Sequence, residues 1–489
     1  MDKLYSDGKR YYTLNNFLQN KFGCKVFKVS LNAGFTCPNI DGKVGYGGCI
    51  YCKNGSGEYG GNPKDDLVTQ FNFLKDKIAK KWPNSKYIAY FQANTNTYAP
   101  LEVLKEKYET VLNLEKVVGI SIATRSDSIT LEVLDYLDQL NKKTFLMVEL
   151  GLQTIHEKTA NLINRCHDLA SFLEMVKKLK ERKIYVVAHI INGLPYETKE
   201  MMIDTVKYLN KLKIDGIKIH MLNIVKGTKI AQMYEKEKFK ILTKDEYVSI
   251  VCDQLECLEE NITIHRLTSD PNKDELIEPD WLVKKFGVLN DIDKGLKKRH
   301  TYQGFNKSIL NKFRQILDLG IKENDLVIDA TIGNGNDTLY LANLVKKGMV
   351  FGFDIQDKAI VNTNQLLKDN NIFNYKLFKK SHEFIDEVLK NYQGKISSIV
   401  YNLGYLPNSD KTIKTTWQST VKSVINGIKL LNNKGFILIV VYPHEEGILE
   451  SRHLNALKID GYDINKYYNT ENKKAPYLIE IKKSIKKRQ

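Results

Sequence analysis

Three cysteines stand where they could share one metal centre. Cys37, Cys49 and Cys52 are spaced C-x11-C-x2-C in a stretch rich in glycine and aromatics, Gly34-Phe35-Thr36-Cys37-Pro38-Asn39 and then Gly47-Gly48-Cys49-Ile50-Tyr51-Cys52. Cys49 and Cys52 can chelate from one tight turn, and Cys37 closes the site from the other side of the loop. Three thiolates fall one short of a closed tetrahedral shell. On a [4Fe-4S] cluster, held by cysteine thiolates, the shortfall leaves one iron with a free position. That position can bind the amino and carboxylate groups of S-adenosylmethionine (SAM) and split it reductively. A zinc knuckle completed by a histidine is the alternative reading of a bare C-x2-C. Against zinc, the loop holds no histidine and no fourth cysteine. Cys24 precedes the strand that leads into the loop.

A bound SAM needs amide and hydroxyl partners for its ribose and adenine, and a cation for its carboxylate. Gln92 and Thr95 lie in the run Gln92-Ala93-Asn94-Thr95-Asn96-Thr97-Tyr98, Glu149 and Gln153 in Glu149-Leu150-Gly151-Leu152-Gln153-Thr154, and Arg165 in Asn164-Arg165-Cys166-His167. Ala123-Thr124-Arg125-Ser126-Asp127, His189 and His220 add further polar groups. Singly, each is an ordinary strand-end turn or helix cap, and His189 a satisfied core histidine. Together they make a polar mouth.

A second constellation follows at Asp329-Ala330-Thr331-Ile332-Gly333-Asn334-Gly335-Asn336-Asp337-Thr338. Glycines between a strand and a helix let the backbone approach a ligand, and the helix N-terminus favours anionic groups there. About twenty residues on, a strand ends in Phe353-Asp354-Ile355-Gln356, and an acidic residue at that spacing suits ribose hydroxyls. The rival is a dinucleotide fold, but position 338 is Thr where the third glycine of G-x-G-x-x-G would stand. A later strand ends in Tyr401-Asn402-Leu403-Gly404-Tyr405-Leu406-Pro407.

The elements that must position these residues read as two α/β systems. Strands are expected at Val26–Leu31, Tyr87–Gln92, Val117–Ala123, Phe145–Leu152, Ile184–Ile191, Gly216–Leu222 and Ile262–Arg266. Helices fall between them, near Asp65–Lys81, Leu101–Leu112, Thr130–Leu140, Leu169–Arg182, Lys199–Lys211 and Lys244–Glu259. Such alternation implies a parallel sheet with helices outside it and ligands at the C-terminal strand ends. Asn290–Gly304 is charged and reads as the boundary. After it the pattern restarts with a helix at Lys307–Leu319 and a strand at Asp325–Ala330.

At 489 residues the chain is too long for one ordinary core. Its 74 basic against 58 acidic side chains, a net +16, suit a polyanionic partner. Lysine-rich solvated faces give the same excess. The opening Met1-Asp2-Lys3-Leu4-Tyr5 is polar, and no apolar run approaches the roughly 20 residues of a membrane span. The expectation is a cytoplasmic protein without a membrane partner, its seven cysteines free or metal-bound. The basic tail Lys483–Gln489 is expected to fray.

The motifs of the first half resemble those of radical SAM enzymes, in the branch near the Elongator catalytic subunit and oxygen-independent coproporphyrinogen oxidase. They are Cys37-Pro38-Asn39, Gly48-Cys49-Ile50-Tyr51-Cys52, Phe91-Gln92, Thr95-Asn96-Thr97-Tyr98, Ala123-Thr124-Arg125 and Glu149-Leu150-Gly151-Leu152-Gln153-Thr154. His265-Arg266-Leu267-Thr268-Ser269-Asp270-Pro271, Pro279-Asp280-Trp281 and Tyr302-Gln303-Gly304 resemble the closing signature of one small bacterial subfamily, which has Gly where this chain has Ser269. The resemblance implies a partial (β/α)6 barrel over residues 1–270 with an extension over 271–304. It implies a [4Fe-4S] cluster on Cys37, Cys49 and Cys52, and SAM contacts from Gln92, Thr95, Glu149, Gln153 and Arg165.

Residues 305–482 resemble the small methyltransferases once labelled rRNA methylases, now associated with the last methylation of wobble uridine in tRNA. The likeness rests on Gly333–Thr338, Phe353–Gln356, Ser381-His382-Glu383, Asn402–Pro407, Ser409-Asp410-Lys411-Thr412, Val440-Val441-Tyr442-Pro443-His444 and Asn472–Leu478. The family has His at position 336, where this chain has Asn, and Gly-His where it runs Pro443-His444-Glu445, so no role is assigned to those spots. The resemblance implies a Rossmann-like class I domain over 305–489. It implies a second SAM site at Asp329, Gly333, Asn334, Gly335, Asp337, Asp354, Gln356, Ser381 and His382. Asn402 and Tyr405 correspond to the Asn and Tyr of the Asn-Pro-Pro-Tyr element of amine-directed methyltransferases, with Leu403-Gly404 replacing the prolines. In that element the Asn accepts from the target nitrogen and the ring packs on the substrate. The need is physical, because an aliphatic ammonium of pKa about 10 has no lone pair until it loses a proton.

The combined expectation is a fusion of two enzymes acting in turn on the wobble uridine of a tRNA anticodon loop, with an electron donor for the first half. The rival readings are a bifunctional enzyme of small-molecule biosynthesis and a zinc-stabilised RNA-binding protein. Neither the donor's identity nor an oligomeric state is written in the sequence.

Overall fold

The computed structural model describes residues 4–53, 61–403, 416–442, 447–468 and 475–484. The chain divides into two compact units, Met1–Gly304 and Phe305–Gln489.

The first unit is built on a parallel sheet of seven strands in sequential order. They are β1 (Val26–Leu31), β2 (Lys86–Phe91), β3 (Val117–Thr124), β4 (Phe145–Gln153), β5 (Tyr185–Asn192), β6 (Gly216–Met221) and β7 (Thr263–Arg266). Helices Leu67–Ala79, Leu101–Leu112, Leu131–Lys143, Leu169–Glu181, Lys199–Lys211 and Lys244–Cys257 connect them. Five of these helices begin at Asp66, Thr130, Asp168, Thr198 and Thr243, whose side chains accept a backbone N–H of the first turn, which satisfies a donor the helix leaves open. Sequential order with helical crossovers curves the sheet into a partial barrel, and expected and observed strand ends differ by at most two residues.

Side chains alternate across such a strand. The outer set, including Ala89, Phe91, Ile120, Ile122, Leu146, Val148, Leu150, Val186, Ala188, Ile217 and Ile219, joins the main core under the helices. The inner set is apolar only at the N-terminal end, where Val26, Ile88 and Met147 meet Leu14, Phe17 and Leu18 of helix α1 (Leu14–Phe22). Helix α1 thus stops one end of the barrel. Towards the other end the inner set turns polar, through Ser30, Tyr90, Gln92, Glu149, Gln153, His189, Lys218 and His220.

The stretch read as a charged boundary is folded into this unit. Helix Lys285–Lys298 buries Val288, Ile292 and Leu296, an i, i+4, i+8 stripe. Gln303 then donates to the carbonyls of Glu259 (2.6 Å) and Ile262 (2.7 Å) and accepts from the Tyr12 amide (2.9 Å). A short antiparallel pair, Ile224–Val225 with Leu276–Glu278, lies beside the sheet.

The second unit has a seven-stranded sheet of its own. Its strands are β8 (Leu326–Asp329), β9 (Met349–Asp354), β10 (Tyr375–Lys379), β11 (Ile396–Asn402), β12 (Leu431–Val441), β13 (Tyr462–Tyr468) and β14 (Tyr477–Lys483). The order is β10-β9-β8-β11-β12-β14-β13, with the first five parallel and the last two antiparallel. Both faces are covered. Val327, Val350, Val400 and Leu438 belong to one core and their neighbours Ile328, Phe351, Ile399 and Ile437 to the other. The order reverses between β8 and β11, and an open α/β sheet binds ligands at such a point. Among the described residues no helix is long and apolar enough to cross a membrane.

Candidate functional site

In the first unit a cavity of about 510 Å³ opens above the strand ends. Cys37, Cys49 and Cys52 all line it, together with Gln92, Thr95, Glu149, Gln153 and Arg165. These eight residues are the site predicted from sequence for this half, and all of them line this one cavity.

The cysteine loop is held from within and from across the sheet. The Cys52 amide donates to the Cys49 carbonyl (2.9 Å), which makes the C-x2-C turn. The Asn39 amide group donates to the Asn164 carbonyl (2.6 Å), and the Asn164 amide group to the Gly48 carbonyl (2.8 Å). This clasp fixes the loop over β4. Gly45 must be glycine, because a Cβ there would lie 2.3 Å from Asn39 Oδ1 and 2.8 Å from Cys166 Sγ. Asn39 Nδ2 also lies 3.6 Å from Cys49 Sγ. Burial pushes the Cys49 thiol pKa up, while Tyr51 and Arg125 draw it down.

Arg165 is buried. It donates to the carbonyls of His167 (2.8 Å), Leu152 (2.8 Å) and Thr154 (2.7 Å), and reaches Glu157 at 3.3 Å. Its guanidinium binds the backbone behind β4. The cation nearer the cysteines is Arg125, forked onto Asp127 (2.9 and 2.7 Å) and donating to the Arg165 carbonyl (2.8 Å). Gln153 has φ +63° and folds back over Gly151, and its Oε1 is buried with no partner among the described residues. Asn94 Oδ1 on the same wall is likewise unpartnered. Two buried amide oxygens without donors, on one cavity wall, fit a ligand that supplies hydroxyl or amine protons.

Deeper in the cavity sits Glu149, whose side chain is 0% exposed. Its oxygens accept from Lys28, from Lys218 (2.5 Å), Ser121 (2.7 Å), His189 (2.8 Å) and Tyr90 (3.1 Å). Burial disfavours its charge, but Lys218 and then Lys28 win and hold the carboxyl well below its ordinary range. Burial lowers Lys218 to about 7 and His189 to about 4. Sequence reading missed Lys28 and Lys218. The signal was a lysine inside each apolar strand, Val26-Phe27-Lys28-Val29 and Gly216-Ile217-Lys218-Ile219.

A cluster fits the donor set. Three thiols line one cavity. A polynuclear centre takes each thiolate on a different iron, and three thiolates leave one iron of a [4Fe-4S] cluster open.

In the second unit the loop after β8 turns at Gly333 (φ +54°) and Gly335 (φ +78°), where a Cβ on Gly335 would lie 2.5 Å from Thr363 Oγ1. The Gly333 amide donates to Asp354 Oδ2 (3.1 Å) and the Gln356 amide to Asp354 Oδ1 (2.9 Å). The carboxylate predicted to hold ribose therefore ties both loops together. Asp329 is buried and accepts from the Thr338 hydroxyl (2.6 Å) and the Thr331 amide (3.2 Å). Burial, then Asp337, pushes it up to about 7. Asn402, at the end of β11, donates through Nδ2 to Asp337 Oδ2 (3.0 Å), and its amide donates to Thr331 Oγ1 (2.8 Å). That anchor leaves its side-chain oxygen, without a hydrogen bond among the described residues, as the acceptor. His382 is buried edge-on to Tyr401, and its Nδ1 has no partner among the described residues. Ser381 caps the Glu383 amide (3.4 Å) and Asn334 is exposed. Tyr405 lies outside the described residues, as do Ser409–Thr412, Pro443-His444 and Asn472–Lys474.

Comparison with known proteins bears on both halves. Residues 45–209 match the profile of the Radical SAM superfamily and residues 214–298 that of the Radical SAM C-terminal domain. Residues 350–482 match the rRNA methylase family. Uncharacterized protein YtqA of Bacillus subtilis is 53% identical over 297 residues, which covers 60% of this chain and 92% of the relative. The chloroplastic tRNA (mnm(5)s(2)U34)-methyltransferase of Arabidopsis thaliana is 31% identical over 176 residues, 32% of this chain and 63% of the relative. Elongator complex protein 3 of Saccharomyces cerevisiae is 29% identical over 161 residues, 32% of this chain and 28% of the relative.

Proposed function

Because the chain belongs to the radical SAM superfamily over its first unit and continues into an rRNA methylase domain, we propose that it modifies the wobble uridine of tRNA in two successive steps. The first unit converts 5-carboxymethylaminomethyl-(2-thio)uridine-34 to the 5-aminomethyl form. The second N-methylates that amine to 5-methylaminomethyl-(2-thio)uridine. The cofactors are a [4Fe-4S] cluster in the first unit and SAM in both. The observation that carries the reading is the single cavity of about 510 Å³ that gathers three thiols, two unpartnered amide oxygens and a cationic floor.

Cys37, Cys49 and Cys52 would hold the cluster, and Gln153 and Asn94 present acceptors to the cosubstrate. Bound there, the cluster supplies the electron that splits the sulfonium and so gives a hydrogen-abstracting radical. The substrate bond to yield is the C–H of the methylene between nitrogen and carboxylate, since both neighbours stabilise the carbon radical. The net balance closes. The substrate gives up two electrons and SAM takes two, water supplies the oxygen of a two-carbon oxo acid, and the primary amine remains. Deuterium placed in that methylene should appear in 5′-deoxyadenosine. Turnover without transfer would end the proposal.

In the second unit Asn402 does the positioning. Its Nδ2 is committed to Asp337, so its Oδ1 accepts from the neutral amine and holds it in line with the sulfonium methyl. Asp354 holds the ribose. Asn402→Ala should lower methylation by about 10²-fold, an order set by positioning losses, and leave SAM binding unchanged. Activity near wild type would remove Asn402 from this role. Methylation of tRNA with steep salt sensitivity separates this reading from small-molecule biosynthesis.

A further inference from the structure

The floor of the first cavity holds more positive charge than it balances. Lys28 on β1 and Lys218 on β6 share one carboxylate, Glu149, both oxygens of which are already occupied, and Arg266 on β7 adds a third cation with, among the described residues, no carboxylate of its own. Lys28 and Lys218 are only 13% and 9% exposed. Arg266 stands beside Lys218 in the parallel register of β6 and β7, is exposed, and lines the same cavity. Among the described residues its guanidinium makes no hydrogen bond or ion pair.

The other charges on this wall are accounted for. Arg125 is paired with Asp127 (2.7 Å), Lys53 with Glu275 (2.5 Å), and Asp270 with Lys285. His189 is hydrogen-bonded to Glu149, and His220 beside it has its pKa driven well below the ordinary value by burial and by neighbouring cations. What remains is a fork of five N–H donors facing the cavity, above a lysine that already has its counter-ion. A planar guanidinium facing a cavity pairs with a carboxylate through two parallel bonds.

We infer that Arg266, with Lys218 beneath it, receives the carboxylate of the carboxymethylaminomethyl group and so selects the substrate of the first reaction. This rests on the function proposed above. It follows that the floor also rejects the product. Removal of the two-carbon acid takes away the anion and leaves a primary amine, protonated at neutral pH, against a surplus of positive charge. Arg266 is a specificity residue here, with no bond to make or break.

SAM also carries a carboxylate, and the experiment separates the two sources. The anaerobically reconstituted full chain is given tRNA bearing 5-carboxymethylaminomethyluridine at position 34, or the same tRNA with the carboxylate converted to the carboxamide. Loss of the modification is followed by nucleoside mass spectrometry. Wild type should prefer the carboxylate by about 30-fold in kcat/KM, the scale of hydrogen bonds to a charged group. Arg266→Gln should reduce that preference to less than about 3-fold, mainly through KM, with the KM for SAM unchanged, and Arg266→Lys should restore part of it. Methylation of aminomethyl-tRNA by each variant reports that the chain is intact. If Arg266→Gln keeps the wild-type preference, or if the KM for SAM rises instead, the inference is wrong and the proposed function stands. If wild type converts neither tRNA, the proposed function fails and the inference falls with it.

Discussion

Glu149→Gln tests the charge balance of the cavity directly. The substitution keeps shape but replaces one oxygen with an NH2 that faces donors, and it leaves Lys28 and Lys218 without their anion. Removing one partner of a buried pair costs about 3–5 kcal/mol. Glu149 is fully buried and has five partners, so the upper part of that range applies. Relief comes by loss of a proton. Lys218 already titrates at about 7 and without Glu149 falls further, as does Lys28. A lysine whose folded pKa lies below its unfolded value of about 10.4 makes the unfolded chain bind more protons between the two. Stability then rises with pH by about 1.4 kcal/mol per unit for each such lysine. Wild-type Lys218 already has this slope above about 7, so the loss in the variant should be smallest near pH 9 and grow as pH falls through and below 7. Trp82 and Trp281 lie in the first unit and Trp417 in the second. A Trp417→Phe background thus lets urea titration by tryptophan fluorescence report the first unit alone. A loss below about 1 kcal/mol at pH 7, the value of an exposed pair, would refute the claim that Glu149 is the desolvated centre of the floor.

Other consequences are sharper in one readout each. Cys49→Ser should abolish iron incorporation and reductive SAM cleavage while methylation of aminomethyl-tRNA continues, measured by iron assay and nucleoside mass spectrometry. Gly335→Ala forces a side chain into φ +78° and onto Thr363, so SAM affinity of the second unit by calorimetry should fall at least tenfold, about 1.4 kcal/mol. Asp329 has its folded pKa raised to about 7, so the fold binds more protons than the unfolded chain between about 4 and 7 and loses stability as pH rises through that window. Asp329→Asn should flatten that slope, read from the second unit's unfolding through Trp417.

Much of this was legible because the signals are local. The cysteine spacing, the glycine turn after β8 and Asp354 at the next strand end each lie within a few residues. Apolar runs alternating with helical stretches carried the strands. What was hidden depends on long-range closure. The clasp of Asn39 and Asn164 spans 125 residues, and Glu149 meets Lys28 and Lys218 over 121 and 69. Nothing local distinguishes those lysines from solvated ones except their place within apolar runs. Arg165 reads as a cation for a ligand, but its donors go to the carbonyls of Leu152, Thr154 and His167. A charged stretch such as Lys285–Lys298 reads as linker until its three apolar positions are counted every fourth residue.

The two proposed sites differ in sign, and the difference gives their order a physical basis. The first presents unbalanced cations, which suit the proposed substrate that would enter with a carboxylate and leave without one. The second surrounds Asn402 with Asp337, which holds its amide group, and Asp354 across the glycine loop. Carboxylates at that point favour a cationic sulfonium and an incoming amine, and disfavour a modification that still bears its acid. On the proposed function, a carboxymethylaminomethyl group would be held where it is cut and repelled where it would be methylated. The aminomethyl group meets the opposite pair of preferences. Tethering raises the effective concentration of the shared tRNA at both sites, but without the change of sign it would raise it equally for the wrong order.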